Sequence, residues 1–112
     1  MKIVTTQLTK EEILGIQKEF GNYVKITADI EARIMVIGIA LHADAESILL
    51  EKGGYLDNLW GGGVNFLTKQ IDATAVYNIR PRLGNNNLEI LDPEVRKKFI
   101  DFTKYIFANL YE

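Results

Sequence analysis

Two neighbouring runs decide the fold: Tyr23-Val24-Lys25-Ile26-Thr27-Ala28-Asp29, and Arg33-Ile34-Met35-Val36-Ile37-Gly38-Ile39-Ala40-Leu41. In the first, Val24, Ile26 and Ala28 face one way while Lys25 and Thr27 face the other. That period of two is the pattern of a half-buried strand. The second run, residues 33–41, is apolar on both faces, as in a strand covered on both sides. The polar Asp29-Ile30-Glu31-Ala32 between them suggests a hairpin.

Helices are expected on either side of this hairpin. Residues 2–6 are short and alternating, and predict a first strand. Thr9 and Glu12 then form a capping box, with Leu8 and Ile13 at the staple positions. Ile13, Ile16 and Phe20 recur at helical spacing, and Gly21 is a natural stop. After the hairpin, Asp44 is placed to cap a short helix from Ala45 to Lys52, although Ile48-Leu49-Leu50 also suits a strand. Trp60 to Thr68 and Asp72 to Arg80 predict a second hairpin. In its return strand Ala73, Ala75, Tyr77 and Ile79 share one face, and Thr74, Val76, Asn78 and Arg80 the other. Pro81 ends that strand, since proline cannot donate to the ladder. A loop from Arg82 to Leu91 leads to a last helix, with Asp92 as cap and Pro93 at its first position. Val95, Phe99, Phe102, Ile106 and Leu110 form its apolar stripe. The expected fold class is α+β: one domain over residues 1–112 in the order β-α-β-β-α-β-β-α. A mainly antiparallel sheet of four to five strands would be covered by helices.

Composition narrows the function classes. The 112 residues have an apolar fraction of 47% and a charged fraction of 25%, as in ordinary globular proteins. The formal net charge of −2 supplies no global field to attract nucleic acid, so a nucleic-acid partner is not favoured. The absence of cysteine removes disulfides, thiolate zinc sites and cysteine nucleophiles together. The N-terminus turns polar too early for a signal peptide, and the longest apolar run is far too short to span a membrane. The expectation is a soluble cytoplasmic protein with no membrane partner.

Three segments are candidate sites. His42, the only histidine, precedes Asp44 and Glu46. If extended, the three side chains project to one side and suit a divalent metal of the Mn²⁺ or Mg²⁺ type. Against this, x-D-x-E before an apolar run is a common cap pattern, and the cap is the preferred reading. In the second segment Asn78, Arg80 and Arg82 run into Gly84-Asn85-Asn86-Asn87. The arginine forks and asparagine amides offer what an anion or nucleotide subsite needs. A polar turn before a helix accounts for the same residues, because asparagine favours turns. Third, Trp60-Gly61-Gly62-Gly63 lacks the spacing of any phosphate loop. A glycine run entering a strand more often marks a bulge or a close backbone approach. One histidine excludes a two-histidine zinc site within the chain, and no G-x-S-x-G elbow is present.

The ordered motifs Leu41-His42-Ala43-Asp44-Ala45-Glu46, Leu50-Glu51-x-Gly53, Asn58-Leu59-Trp60-Gly61, Asn78-Ile79-Arg80-Pro81, Gly84-Asn85 and Asp92-Pro93-Glu94-Val95-Arg96 carry a resemblance. The chain resembles a small prokaryotic family of domains of unknown function, over about residues 2 to 110. It departs from the pattern after Trp60-Gly61, where Gly62 and Gly63 are added. The resemblance brings no activity or cofactor, but it implies that the first two segments belong to one design. His42, Asp44 and Glu46 would then face Asn78, Arg80 and Asn85 across a shallow cleft beside Trp60. The expected function is a binding module for an anionic small molecule or nucleotide-like group, using these residues and Arg82. The alternatives are a metal-dependent hydrolase or nuclease on His42, Asp44 and Glu46, and an interaction protein or homodimer without catalysis. No cofactor is identified by the sequence.

Overall fold

The structure, a computed structural model, describes residues 1–39 and 41–111. Five strands and three helices follow in the expected order: β1 Lys2–Val4, α1 Lys10–Phe20, β2 Tyr23–Asp29, β3 Ile34–Ile37, α2 His42–Glu51, β4 Leu59–Asn65, β5 Ile71–Asp72 and α3 Pro93–Ile106. The strands form one antiparallel sheet in the order β1-β3-β2-β4-β5. Among the described residues no helix is long and apolar enough to cross a membrane.

The alternation in β2 does set the two faces. Val24, Ile26 and Ala28 point into the main core with Met35 and Ile37, against Ile13 and Ile16 of α1 and Phe99, Phe102 and Ile106 of α3. The opposite face carries Val36 and Leu59 against Ala45 and Leu49 of α2. The sheet is therefore covered on both sides, which explains why β3 is apolar throughout. The helix ends follow their local signals. The Thr9–Glu12 capping box is complete, Gly21 closes α1 with φ 87°, and the Asp92 carboxylate accepts from Glu94 N and Val95 N at the start of α3.

Four expected elements are corrected. The strand expected over 33–41 runs only from Ile34 to Ile37. Gly38, at φ 88°, turns the chain out of the sheet, and a side chain there would strike the Phe20 ring. Arg33 belongs to the turn at φ 58°, and Ala40 lies outside the described residues. The 45–52 segment is a helix, but it begins at His42 after an extended Leu41, so Asp44 sits in the first turn instead of capping it. A carboxylate there still favours the positive end of the helix dipole. The return strand expected over 72–80 is reduced to Ile71–Asp72. Beyond it the chain leaves the sheet through 3-10 turns at Val76–Asn78 and Pro81–Leu83. Asn78 and Arg80 thus do not share a strand face. At the other end of the chain, α3 stops at Ile106, and Leu110 lies in a short 3-10 turn, Ala108–Tyr111.

Candidate functional site

The α2-facing side of the sheet is built from the polar positions of β2 and the glycines of β4. Thr27 pairs with Gly61 and Lys25 with Gly63 across the two strands. Each glycine makes room for a larger group above it. A methyl on Gly61 would come within 2.9 Å of His42 Nδ1 and Cε1, and one on Gly63 would overlap the Tyr23 ring. On the opposite face a methyl on Gly62 would overlap the Asp72 carbonyl oxygen and crowd the Phe99 ring. The glycine run is a close approach, as its entry into a strand suggests.

His42 stands over Gly61 at the first position of α2. Its Nδ1 lies 2.7 Å from the hydroxyl of Thr27, which is buried. Its ring stacks on Tyr77, with centroids 5.9 Å apart. Tyr77 in turn donates to Glu46 Oε1 at 2.8 Å. Burial, reinforced by the positive charge of Lys25 and partly opposed by Asp72, holds the imidazole below its ordinary value of 6.5. The ring is neutral at neutral pH. On the other side of Lys25, Tyr23 donates to Asp72 Oδ2 at 2.8 Å. Burial first, then the neighbouring carboxylate, raises both phenols above their ordinary value, so both remain protonated donors.

Of these residues, Tyr23, Lys25, His42 and Tyr77 border a cavity of about 460 Å³. Its polar wall includes Lys25, His42 and Thr74, and its carbon wall includes Leu41, Ala43, Ala75 and Val76. The N-terminal end of α2 meets it, and among the described residues no side chain caps that end. The positive end of a helix dipole therefore adds to Lys25 at the cavity wall.

The expected site residues divide between this cavity and the frame around it. His42 borders the cavity directly. Glu46 lies one helical turn further on and is engaged by Tyr77. Asp44, two residues from His42, leaves the helix on the opposite side and is exposed. The helix therefore does not gather His42, Asp44 and Glu46 on one side. Among the described residues, no group of three or more His, Cys, Asp or Glu side chains could hold a metal ion.

Asn78 is fully buried, and its amide is consumed by Gly61 N, Gly61 O, Ala73 O and Leu88 O. Asn85 is likewise committed, donating to Asn78 O, Asn87 O and Glu89 O and accepting from Leu91 N. The Arg80 guanidinium donates to Leu56 O at 3.0 Å and to Leu59 O, and lies 4.4 Å from the Trp60 ring centre and 5.1 Å from that of Tyr77. Its Nε and the indole Nε1 of Trp60 are buried without a hydrogen-bond partner among the described residues, next to a cation–π contact that favours the charge. Arg82 is exposed and paired with Asp57 at 2.6 Å. Trp60 and Asn85 border a second cleft, also of about 460 Å³, together with the carboxylates of Asp57 and Asp92. An anion is less welcome there.

The two segments around His42 and Arg80 do meet, but through Tyr77. Thr27, Lys25, Tyr23 and Tyr77 were not legible as site residues. Thr27 and Lys25 read as the second face of a strand, and Tyr77 as one face of a return strand that does not extend that far. The nearest sequence signal was the glycine run, since glycines in a strand show that something comes close.

The fold and site define a small α+β domain: a five-stranded antiparallel sheet with a histidine-bearing cavity beside the helix on its second face. The chain belongs to a family of proteins of unknown function, DUF5674, whose family model matches residues 2–106. No curated protein and no solved structure matches it.

Proposed function

We propose that this domain binds a small anionic molecule in the cavity between β2, β4 and the start of α2. The observation that carries this reading is the convergence of His42 and Lys25 on one cavity, above a strand whose glycines clear the space. Thr27 anchors Nδ1 of His42, which leaves Nε2 as the ring nitrogen available to a ligand. Lys25 supplies a positive charge, and the N-terminal end of α2 adds a field of the same sign. A volume of about 460 Å³ is in the range of small-molecule sites. Arg80, Asn78 and Asn85 serve this site as its frame, since their polar groups are committed to backbone. The lack of cysteine fits a reducing compartment, and on that ground we place the protein in the cytoplasm.

The test is a thermal-shift screen against phosphates, nucleotides and carboxylates, followed by isothermal titration. A ligand that stabilises the wild type and loses its effect in His42→Ala and Lys25→Met supports the reading. An unchanged shift in both variants overturns it.

A further inference from the structure

We propose that Thr27 decides what the His42 cavity accepts: its hydroxyl fixes the imidazole as the Nε2–H tautomer, so the cavity offers a donor and takes a molecule that presents an oxygen acceptor on a carbon body. This rests on the reading that the cavity holds a ligand, and names the group by which the ligand is held. Thr27 is 2% exposed, and among the described residues its hydroxyl has one partner, Nδ1 of His42 at 2.7 Å. A hydroxyl carries one hydrogen, and a buried hydrogen without an acceptor is costly. If Nδ1–H donated to Thr27, the hydroxyl hydrogen would have no acceptor among the described residues. If Nδ1 accepts instead, the hydroxyl is satisfied and the ring proton lies on Nε2.

Nε2 is the open end of the ring. It makes no hydrogen bond among the described residues and is not one of the buried polar atoms left without a partner, so solvent reaches it where His42 borders the cavity. Burial above all holds the imidazole below 6.5, so at neutral pH the ring carries one proton, on one nitrogen or the other. The Tyr77 hydroxyl, on the ring that stacks with His42, donates to Glu46 and does not compete for that proton. A fixed donor asks the ligand for an acceptor, and the demand does not depend on a net charge at the site. A carboxylate or carbonyl oxygen meets Nε2–H, whereas an ammonium sets donor against donor. Leu41, Ala43, Ala75 and Val76 then present carbon to the body of the molecule.

Long-range proton–nitrogen correlation spectra of the single histidine, recorded without ligand, test the tautomer. The Nε2–H form should exceed the Nδ1–H form by at least about tenfold in the wild type. Thr27→Val keeps the shape but removes the hydroxyl, and should lower that ratio by at least about threefold, while Thr27→Ser restores it. A proton on Nδ1, or a ratio that Thr27→Val leaves unmoved, would overturn the role of Thr27 whether or not a ligand binds. Isothermal titration and amide shift mapping with benzoate, acetophenone and benzylamine test the class. Benzoate and acetophenone should move residues 42–43 and 75–77, and Thr27→Val should weaken both by about threefold to tenfold. Benzylamine should bind at least about tenfold more weakly than benzoate. Benzylamine binding there as tightly as benzoate would overturn the acceptor class. Acetophenone binding without benzoate would support the acceptor class and remove the anion reading. Silence towards both acceptors, beside a tautomer ratio that Thr27 does control, would overturn the ligand class and leave the role of Thr27 standing.

Discussion

The side-chain amide of Asn78 and the backbone of Gly61 hold each other in both directions. Gly61 N–H donates to Oδ1 at 2.9 Å, and Nδ2 donates to the Gly61 carbonyl at 2.9 Å. Gly61 lies in β4 beyond the reach of the two-residue β5, so its outer edge has no neighbouring strand. One asparagine side chain does there what a strand backbone would do. Its remaining bonds, to Ala73 O and Leu88 O, tie the 3-10 turn at Val76–Asn78 to the chain on either side. That turn carries Tyr77, the residue on which His42 stacks.

Asn78→Ala is expected to destabilise the protein by about 2–4 kcal/mol, because the Gly61 N–H and carbonyl and the carbonyls of Ala73 and Leu88 each lose a hydrogen bond in a buried setting. Asn78→Asp should be at least as damaging, since a carboxylate cannot donate to the three carbonyls that Nδ2 serves. Urea unfolding checks this as a lower midpoint with an unchanged slope.

Gly61→Ala places a methyl 2.9 Å from the His42 ring and 3.2 Å from Ala75 Cβ. The ring must shift off Thr27, at a cost of about 1–3 kcal/mol in stability. The imidazole resonances of His42 should move with it. Gly63→Ala should instead displace Tyr23 and break its bond to Asp72, leaving the Thr27–His42 contact in place. Comparing the two variants by NMR separates the two ends of the cavity.

His42 gives stability a defined pH dependence. Its folded value lies below 6.5, so the folded state favours the neutral ring. The resulting stability is present above 6.5 and is lost as pH falls through the depressed value. Thermal unfolding between about pH 7.5 and about pH 5 should show a decline that is shallower in His42→Gln, and imidazole titration by NMR should give a midpoint below 6.5.

Arg80→Lys should not restore what Arg80→Ala loses. The guanidinium bonds two carbonyls at once while lying near the Trp60 and Tyr77 rings, and an ammonium cannot reproduce a planar fork. Both variants should lose about 1–3 kcal/mol in denaturant unfolding. A lysine variant as stable as wild type would remove Arg80 from the frame.

Much of the frame was legible along the chain because its signals are local. The β2 alternation, the Thr9–Glu12 box, Gly21, and the Asp92-Pro93 start each depend on residues a few positions apart. The faces of β2, the core stripe of α3 and the α+β order follow from them. Even the committed asparagines and the glycine run carried a sound bland reading, as turn residues and as a close approach.

The 112 residues by themselves determined the order of most strands and helices, which faces β2 and α3 bury, and which chemistries lack their atoms: without cysteine there is no thiolate, and with one histidine there is no histidine pair within the chain. Only the tertiary structure decided that β5 stops after Asp72, that the amide of Asn78 replaces the missing backbone, and that His42 meets Thr27, Gly61 and Tyr77. The reason is range. Periodicity and capping are set within a turn or two of chain, whereas Thr27 and His42 are 15 residues apart and Gly61 and Asn78 are 17 apart. Which polar group reaches which buried partner is settled by how the sheet and α2 pack, and no local pattern encodes it.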